Sequence, residues 1–545
     1  MNACASLSRR PRRRFWGWGL ADAALDPRER TIVEAMLASV GTHFEDRPAP
    51  RVEEFVLSPP RVVPPATLAA CFSASPLDRL NHSAGKSYAD CARMWMRRPP
   101  SAPDWVAFPD DEQAVVDILD WAQARNVAVI PYGGGSSVCG GVEAAVGSGF
   151  SGTVSIDLER LNRVVEVDPI SRAARIQAGA LGPELATQLR AHRLTLRHFP
   201  QSFEFSSLGG WIATRAGGHY ATLYTHIDDF VEATRLVTPA GVMQTRRLPG
   251  SGAGPAPDRL VIGSEGTLGV VTEAWVRVQV PPRFRASASA QFDDYFAAVA
   301  CVRALAQSGL NPSNCRLLDP AETIFAGVGD GRTAMLVLAF ESDDHPLQAW
   351  MARALEIVST HGGRYDAEAV ARSMSSEDSV EHRTGASGAW RDAFMRMPYW
   401  RDPAVGLGVI MDTFETAITW DQWPEFDATV RDRVGRVLRD TFGEHHTLSC
   451  RFTHVYTDGP APYYTWSGMG RQGSEIEQWQ IIKDAANETL VAAGGTATHH
   501  HAVGRMHRPN AYDLQRPDLF ADAIRAVKKT LDPNGILNPG VLIDP

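Results

Sequence analysis

Thr498-His499-His500-His501-Ala502-Val503-Gly504-Arg505 is the most unusual stretch of the chain. Three adjacent histidines cannot share one face of a helix or strand, so the run needs a reason. It is open to three readings: a surface turn, a metal site, or a polar wall that donates to a phosphate and shuttles protons near neutral pH. A metal site wants ligands on one face, and no neighbouring Cys or carboxylate pattern supplies them, so no metal is expected. A second stretch, Pro131-Tyr132-Gly133-Gly134-Gly135-Ser136-Ser137-Val138, offers other chemistry. Glycines without a Cβ let backbone N–H groups come close to a phosphate, and the serines add hydroxyl donors. The spacing is not G-x-G-x-x-G, so it does not point to NAD. Two more loops rich in small residues follow, at 200–218 and 263–272. One large ligand with a diphosphate and a ring system accounts for all three.

The elements that must position these loops are legible in part. Trp105–Phe108 reads as a strand. Asp110 or Asp111 caps a helix whose apolar face is Val115, Ile118, Leu119 and Ala122. Val127–Ile130 is a buried strand that runs straight into the glycine loop. Further strands are expected at Val154–Leu158, Val164–Val167 and Ala174–Ala178, and a short helix at Gly182–His192. Before them, residues 28–43 read as a helix with Ile32, Val33, Met36, Leu37 and Val40 on one face. Pro281-Pro282 is a boundary, and beyond it helices mix with strands such as Ala334–Phe340. The expected class is α+β, with a helical region at 1–100, a cofactor domain at 101–280, an inserted α+β cap at 281–490 and a segment at 491–545 that returns to the site.

Bulk properties narrow the function. The chain has 545 residues, too many for one core, and 44% of them are hydrophobic. A net charge of −9 argues against nucleic acid as a partner. Seven dispersed cysteines without a C-x-x-C pair fit a reducing compartment. No apolar run is long enough to span a bilayer. Arg9, Arg10, Arg12, Arg13 and Arg14 read as a basic, partly disordered arm able to touch an anionic membrane, with no apolar stretch to make a signal. The C-terminus carries no Ser-Lys-Leu address, so a cytoplasmic protein is expected.

The order P-x-G-G-G-[ST]-S, S-x-G-G-x-x-x-T-x-[AS]-x-G and G-[ST]-E-G-T-L-G-[VI]-[VI]-T resembles the PCMH-type FAD-binding domain of the vanillyl-alcohol-oxidase family. The resemblance implies that Pro131, Tyr132, Gly133, Gly134, Gly135, Ser136 and Ser137 cradle the diphosphate. It assigns the rest of the FAD to Gln201, Ser202, Ser206, Ser207, Gly210, Thr214, Ala216 and Gly217, with Glu265, Gly266, Leu268, Gly269, Val270 and Val271. Many members tether the flavin to His or Cys. Neither of the first two loops has a well-placed His, and Cys139 reads as a small buried thiol, so non-covalent FAD is expected.

Within that family the His-His-His-Ala-Val-Gly run is similar to the His-His-His-Gly-Val-Gly of alkyldihydroxyacetonephosphate synthases, and unlike the Glu-His-Gly of hydroxy-acid dehydrogenases. The segment from Cys450 to Tyr464 resembles the one with the synthase tyrosine, which falls on Tyr463. By the same resemblance Arg401 binds substrate, Arg316 is a second important arginine, and His499, His500 and His501 stabilise charge and move protons. The start Trp16-Gly17-Trp18-Gly19 is also similar. Departures are Gln201 for an acid, Ser207 for Thr, Ala502 for Gly and Thr465-Trp466 for an aromatic pair. The implied reaction exchanges the acyl group of acyl-dihydroxyacetone phosphate for a fatty alcohol, through an adduct at flavin N5 and without net redox change. A homodimer with peripheral membrane contact is expected. Two other readings stay open: an FAD-dependent hydroxy-acid dehydrogenase or oxidase, and a non-catalytic flavin- or lipid-binding protein.

Overall fold

The computed structural model describes residues 6–38, 46–224, 226–375 and 385–544. Two small sheets and one large one organise the described chain. The first sheet runs Phe72–Ser73, Trp105–Ala107, Gly152–Asp157, Val127–Tyr132. Its last three strands are parallel, and every residue of Gly152–Asp157 is buried, as a central parallel strand requires. The helix Glu112–Arg125 covers it. Asp111 accepts the N–H of Ala114 as its cap, and Val115, Ile118, Leu119 and Ala122 are buried as the 3.6-residue pattern demands.

The second sheet is antiparallel, in the order Val164–Asp168, Ala173–Gln177, Val270–Arg277, Val231–Thr238, Gly241–Gln244. Apolar side chains of both small sheets share one core, which includes Val129, Ile156, Ile176, Trp211 and Val276. The third sheet has seven antiparallel strands between Phe284 and Met469. Its order is Arg364–Tyr365, Phe284–Phe292, Ala334–Ser342, Asn314–Leu318, His446–Val455, Pro460–Met469, Val409–Glu415. The helices Tyr295–Gln307, Trp423–Phe442 and Glu475–Ala492 bury Val302, Val430, Val434 and Ile482 in its core.

The last residues rejoin the first sheet. Val129 donates to the carbonyl of Ile536 and Asn538 donates back to Val129, at 2.8 Å each. Lys528 ties this end down from the helix Asp518–Leu531, donating to Asp532 and to the carbonyls of Thr267 and Leu537. The return path carries residues 498–505 between the small sheets and the large one.

Two expectations are corrected. The N-terminal helix covers Pro27–Ala38 among the described residues, and 39–43 lie outside them; Val33 is buried as expected but Ile32 is exposed, and the side chains of Met36, Leu37 and Val40 also lie outside the described residues. The basic arm is packed, because its charges find carboxylates that are distant in sequence. Arg10 pairs with Glu184 at 2.6 Å, Arg14 with buried Asp402 at 3.0 Å, and the backbone of Arg9 donates to Glu159. Six cysteines are buried free thiols, and Cys4 lies outside the described residues.

Candidate active site

One deep cavity lies where the three loops meet the large sheet. Its wall includes Pro131 to Ser137, then Gln201, Ser202, Ser206, Ser207, Gly210, Thr214, Ala216 and Gly217, and then Glu265, Gly266, Gly269, Val270 and Val271. Leu268 is not on the wall. It points into an apolar cluster with Val503, Val541, Leu542 and Ile543. The glycine loop is pressed against the second loop: a Cβ on Gly134 would sit 1.9 Å from the carbonyl oxygen of Phe205. At Gly135, φ is +65° and a Cβ would meet the Tyr132 hydroxyl at 1.8 Å. Among the described residues, no acceptor takes the N–H groups of Gly134, Gly135 or Ser136. Orphaned donors in a cradle without side chains fit a diphosphate.

The arm adds contacts the sequence did not announce. Arg13 donates to the carbonyl of Gly134, and Trp18 lies on the cavity wall, edge-on to Phe205. The backbone of Trp18 donates to Asp402, next to Arg401, and Gly17 leaves no room for a Cβ beside that carboxylate.

The opposite wall holds the titratable groups. Tyr463 stands on the strand Pro460–Met469, buried, with its hydroxyl accepting from Thr413 at 3.0 Å and 3.5 Å from His501 Nε2. The guanidinium of Arg451 lies 4.1 Å from the centre of its ring and pairs with buried Glu322. Burial holds the Tyr463 phenol above its ordinary range, and Arg451 pulls it back in part. Arg316 and Arg401 share the wall. Arg316 is buried with its Nε and Nη1 groups unpartnered among the described residues, and it lies over the ring of Phe394. Burial, and then Arg451, push its pKa down to about 9. Arg401 donates to the carbonyl of Lys86, lies 3.8 Å from Asp412, and leaves its Nε unpartnered among the described residues.

The histidine run is a turn built around an anion. Glu415, at the end of the strand Val409–Glu415, accepts the backbone N–H groups of His499, His500 and His501 at 2.9–3.2 Å, and the hydroxyl of Thr498. Burial works against this carboxylate, but His500 and His501 hold its pKa well below the ordinary value. His500 and His501 reach the cavity wall, whereas His499 faces away and meets the Tyr456 hydroxyl at 2.7 Å. One ring nitrogen each of His454, His499 and His500 lies within 4.8 Å of the others, and hydrogen bonds engage both nitrogens of His454 and His499 and the Nδ1 of His500. His454 Nε2 donates to the carbonyl of Gly218 at 3.1 Å, for example. Ala502 adopts φ +71°, the left-handed conformation that favours glycine. After it, Val503 and Gly504 donate to Glu265. Cys139 donates its thiol to the carbonyl of His501, and burial pushes that thiol up to about 12.

Sequence reasoning missed Glu415, Arg451, Thr413, Lys483 and His219. The last four lie on the cavity wall. Arg451 stood inside the Cys450–Tyr464 segment whose resemblance to the family was visible, and for both Arg451 and Glu415 a charged residue within a buried strand was the available signal.

Fold and site define an FAD-binding flavoenzyme. Residues 103–246 match the family described as "FAD binding domain", and residues 281–542 match "FAD linked oxidases, C-terminal domain". Alkyldihydroxyacetonephosphate synthase of Trypanosoma brucei brucei is 30% identical over 479 residues, covering 85% of this chain and 77% of the relative. That of Dictyostelium discoideum is 29% identical over 522 residues, covering 92% and 84%. A solved alkyldihydroxyacetonephosphate synthase shares the fold with a TM-score of 0.80 at 23% identity, over 98% of this chain and 99% of the other. The chain belongs to the alkyldihydroxyacetonephosphate synthase family, and its cofactor is FAD. None of the described helices is long and apolar enough to cross a membrane.

Proposed function

We propose that the chain exchanges the acyl group of acyl-dihydroxyacetone phosphate for a fatty alcohol, giving alkyl-dihydroxyacetone phosphate and a fatty acid. The observation that carries the proposal is the meeting of Tyr463, the His500-His501 turn and the unpartnered Arg316 on one wall of the FAD cavity. FAD, held by the loops at 131–137, 201–217 and 265–271, would supply the electrophilic ring that the exchange needs. The Cys139 thiol, with a pKa of about 12, is a poor nucleophile for tethering it, which favours non-covalent binding.

The side chains divide the work. Tyr463 is a neutral phenol at rest, because burial disfavours its anion. It therefore takes the C1 proton of the ketone as it passes its own to His501 Nε2, 3.5 Å away. His501 Nδ1 lies 3.7 Å from Glu415, whose charge steadies the imidazolium that forms. Arg401 holds the phosphate by charge-assisted hydrogen bonds, and the two free N–H groups of Arg316 take the oxygens of the departing carboxylate. The Arg13–Gly134 contact clasps the loop proposed to cradle the diphosphate. Because the substrates are lipids, the proposal includes peripheral membrane contact by a homodimer, which vesicle sedimentation and light scattering test.

The deciding experiment incubates the FAD-loaded enzyme with palmitoyl-dihydroxyacetone phosphate and labelled hexadecanol under anaerobic conditions. Labelled ether product with an unbleached flavin is expected. Flavin bleaching by a simple hydroxy acid, without ether product, would move the chain to the dehydrogenases.

A further inference from the structure

Behind the cavity wall, four side chains form an unbroken line. His500 Nδ1 is 2.9 Å from His499 Nδ1, and His499 Nε2 is 2.7 Å from the Tyr456 hydroxyl. The same hydroxyl bonds His226 Nε2. The four come from three places in the chain: the C-terminal turn, the end of the hairpin after the strand His446–Val455, and the residue that precedes the helix Ile227–Phe230. His500 lies on the wall of the FAD cavity. Tyr456 lies on the wall of a second, open cavity with Thr419, Asp458, Gly494 and Gln515.

Each member has one proton to give and one lone pair to receive it, so the line works in two directions. In one, His500 Nδ1 donates to His499, His499 Nε2 to Tyr456, and Tyr456 to His226. In the other, every bond is reversed. Glu415 favours the first direction at the inner end, because its carboxylate lies 3.1 Å from His500 Nδ1 and attracts the N–H. That leaves the Nε2 lone pair of His500 for the cavity. Burial, and then His500, keep His499 neutral, as a relay member must be.

The reaction proposed above, on which this inference rests, leaves a proton to be removed. The C1 proton is taken and returned. The hydroxyl proton of the alcohol is not returned, because the acid leaves as a carboxylate at neutral pH. We propose that His499, Tyr456 and His226 form the exit through which that proton passes from His500 to solvent at half-buried His226, beside the second cavity that Tyr456 lines. As the alcohol oxygen bonds C1, its O–H bond breaks and the proton joins His500 Nε2. The His500 Nδ1 proton moves to His499 Nδ1, the His499 Nε2 proton to Tyr456, and the Tyr456 proton to His226 and solvent. One proton enters, one leaves, and no electrons are transferred. Neither Tyr456 nor His226 lies on the wall of the FAD cavity; they act through His499.

Two variants test the exit, Tyr456→Phe, which removes one oxygen, and His226→Ala. Proton release is followed with an indicator dye beside ether-product formation. In both variants, kcat and the rate of proton release fall together by about tenfold or more, with KM for both substrates and FAD content unchanged. Imidazole added to the buffer restores His226→Ala, and the several-proton solvent isotope effect of the natural enzyme becomes larger. In 15N-histidine spectra, Tyr456→Phe shifts the Nε2 resonances of His499 and His226. If Tyr456→Phe loses FAD, His226→Ala with imidazole rescue decides alone. Natural kcat and natural isotope effects in both variants would overturn the exit while leaving the reaction intact. If the natural enzyme forms no ether product, the underlying reaction fails, and the exit with it.

Discussion

Replacing Arg316 by Met is expected to change two properties in opposite directions. The guanidinium is buried, and its Nε and Nη1 groups have no partner among the described residues. A buried donor without an acceptor costs about 1–3 kcal/mol, more when charged, so the pair costs roughly 2–6 kcal/mol. The contact with the Phe394 ring, 4.4 Å from its centre, returns about 0.5–2 kcal/mol. Methionine fills a similar volume without the polar atoms. The FAD-loaded, substrate-free variant is therefore expected to be more stable by ~1–3 kcal/mol. Substrate reverses the sign. Two charge-assisted hydrogen bonds to anionic oxygens are worth about 1.5–3 kcal/mol each, so kcat/KM for acyl-dihydroxyacetone phosphate falls by roughly 10²–10⁴. The assay pairs a melting curve without substrate with steady-state kinetics. Palmitate, tested as a stabilising ligand, raises the melting temperature of the natural enzyme but not of Arg316→Met. A variant that melts earlier and keeps its kcat/KM would refute the reasoning and make Arg316 a structural strut.

Four further outcomes follow from the same geometry. Tyr463→Phe loses about 10²–10⁴ in kcat while its flavin spectrum is unchanged, as measured by ether-product formation. Glu415→Gln turns an amide NH₂ toward backbone N–H donors of His499 and His500, weakening the turn by about 2–4 kcal/mol; hydrogen exchange across residues 498–503 speeds up accordingly. Arg13→Ala removes the clasp on Gly134 and weakens FAD binding about 10- to 100-fold in a fluorescence titration. His198, His501 and His507 are neutral in the fold, with burial pushing each down to about 3. The unfolded chain takes up protons below about pH 6.5 that the fold refuses, so stability from these groups is full above that pH and lost as pH falls. Three such groups give a slope of up to about 4 kcal/mol per pH unit, and His198→Leu is expected to flatten it by about a third in melting curves from pH 7 to 5.

What was legible in the sequence was what short-range pattern determines. The cap at Asp111, the four buried residues on one face of the helix after it and the strand leading into the glycine loop each depend on neighbours within a turn or two. The site was legible where residue type alone forced a conclusion, as with three glycines after a buried strand. It was not legible where meaning depends on distant partners. Arg10 and Arg14 look solvated by composition, yet Glu184 and Asp402 lie 174 and 388 residues away. Glu415 is one acid in a strand, and its role comes from three N–H groups more than eighty residues later. His499 and Leu268 have the right type, but the local turn aims both away from the cavity, and spacing alone cannot reveal that.

The cationic wall also bears on which reaction this flavin pocket performs. Arg316, Arg401, Arg451 and Lys483 all reach the cavity. Two are committed: Arg451 pairs with Glu322, and Lys483 donates to the carbonyl of Thr413 at 2.8 Å. Arg401 is committed in part, to the carbonyl of Lys86 and to Asp412, 3.8 Å away. Arg316 retains two N–H groups, and Arg401 its Nε, for anions brought by a ligand. Oxidation of a hydroxy acid presents one carboxylate. Acyl-dihydroxyacetone phosphate presents a phosphate, and then a carboxylate that must be stabilised as it leaves. Unpartnered donors on two separate guanidinium groups in a buried wall cost stability unless anions arrive at both, so the reserve of donors matches the transfer reaction and exceeds what a hydroxy acid would use.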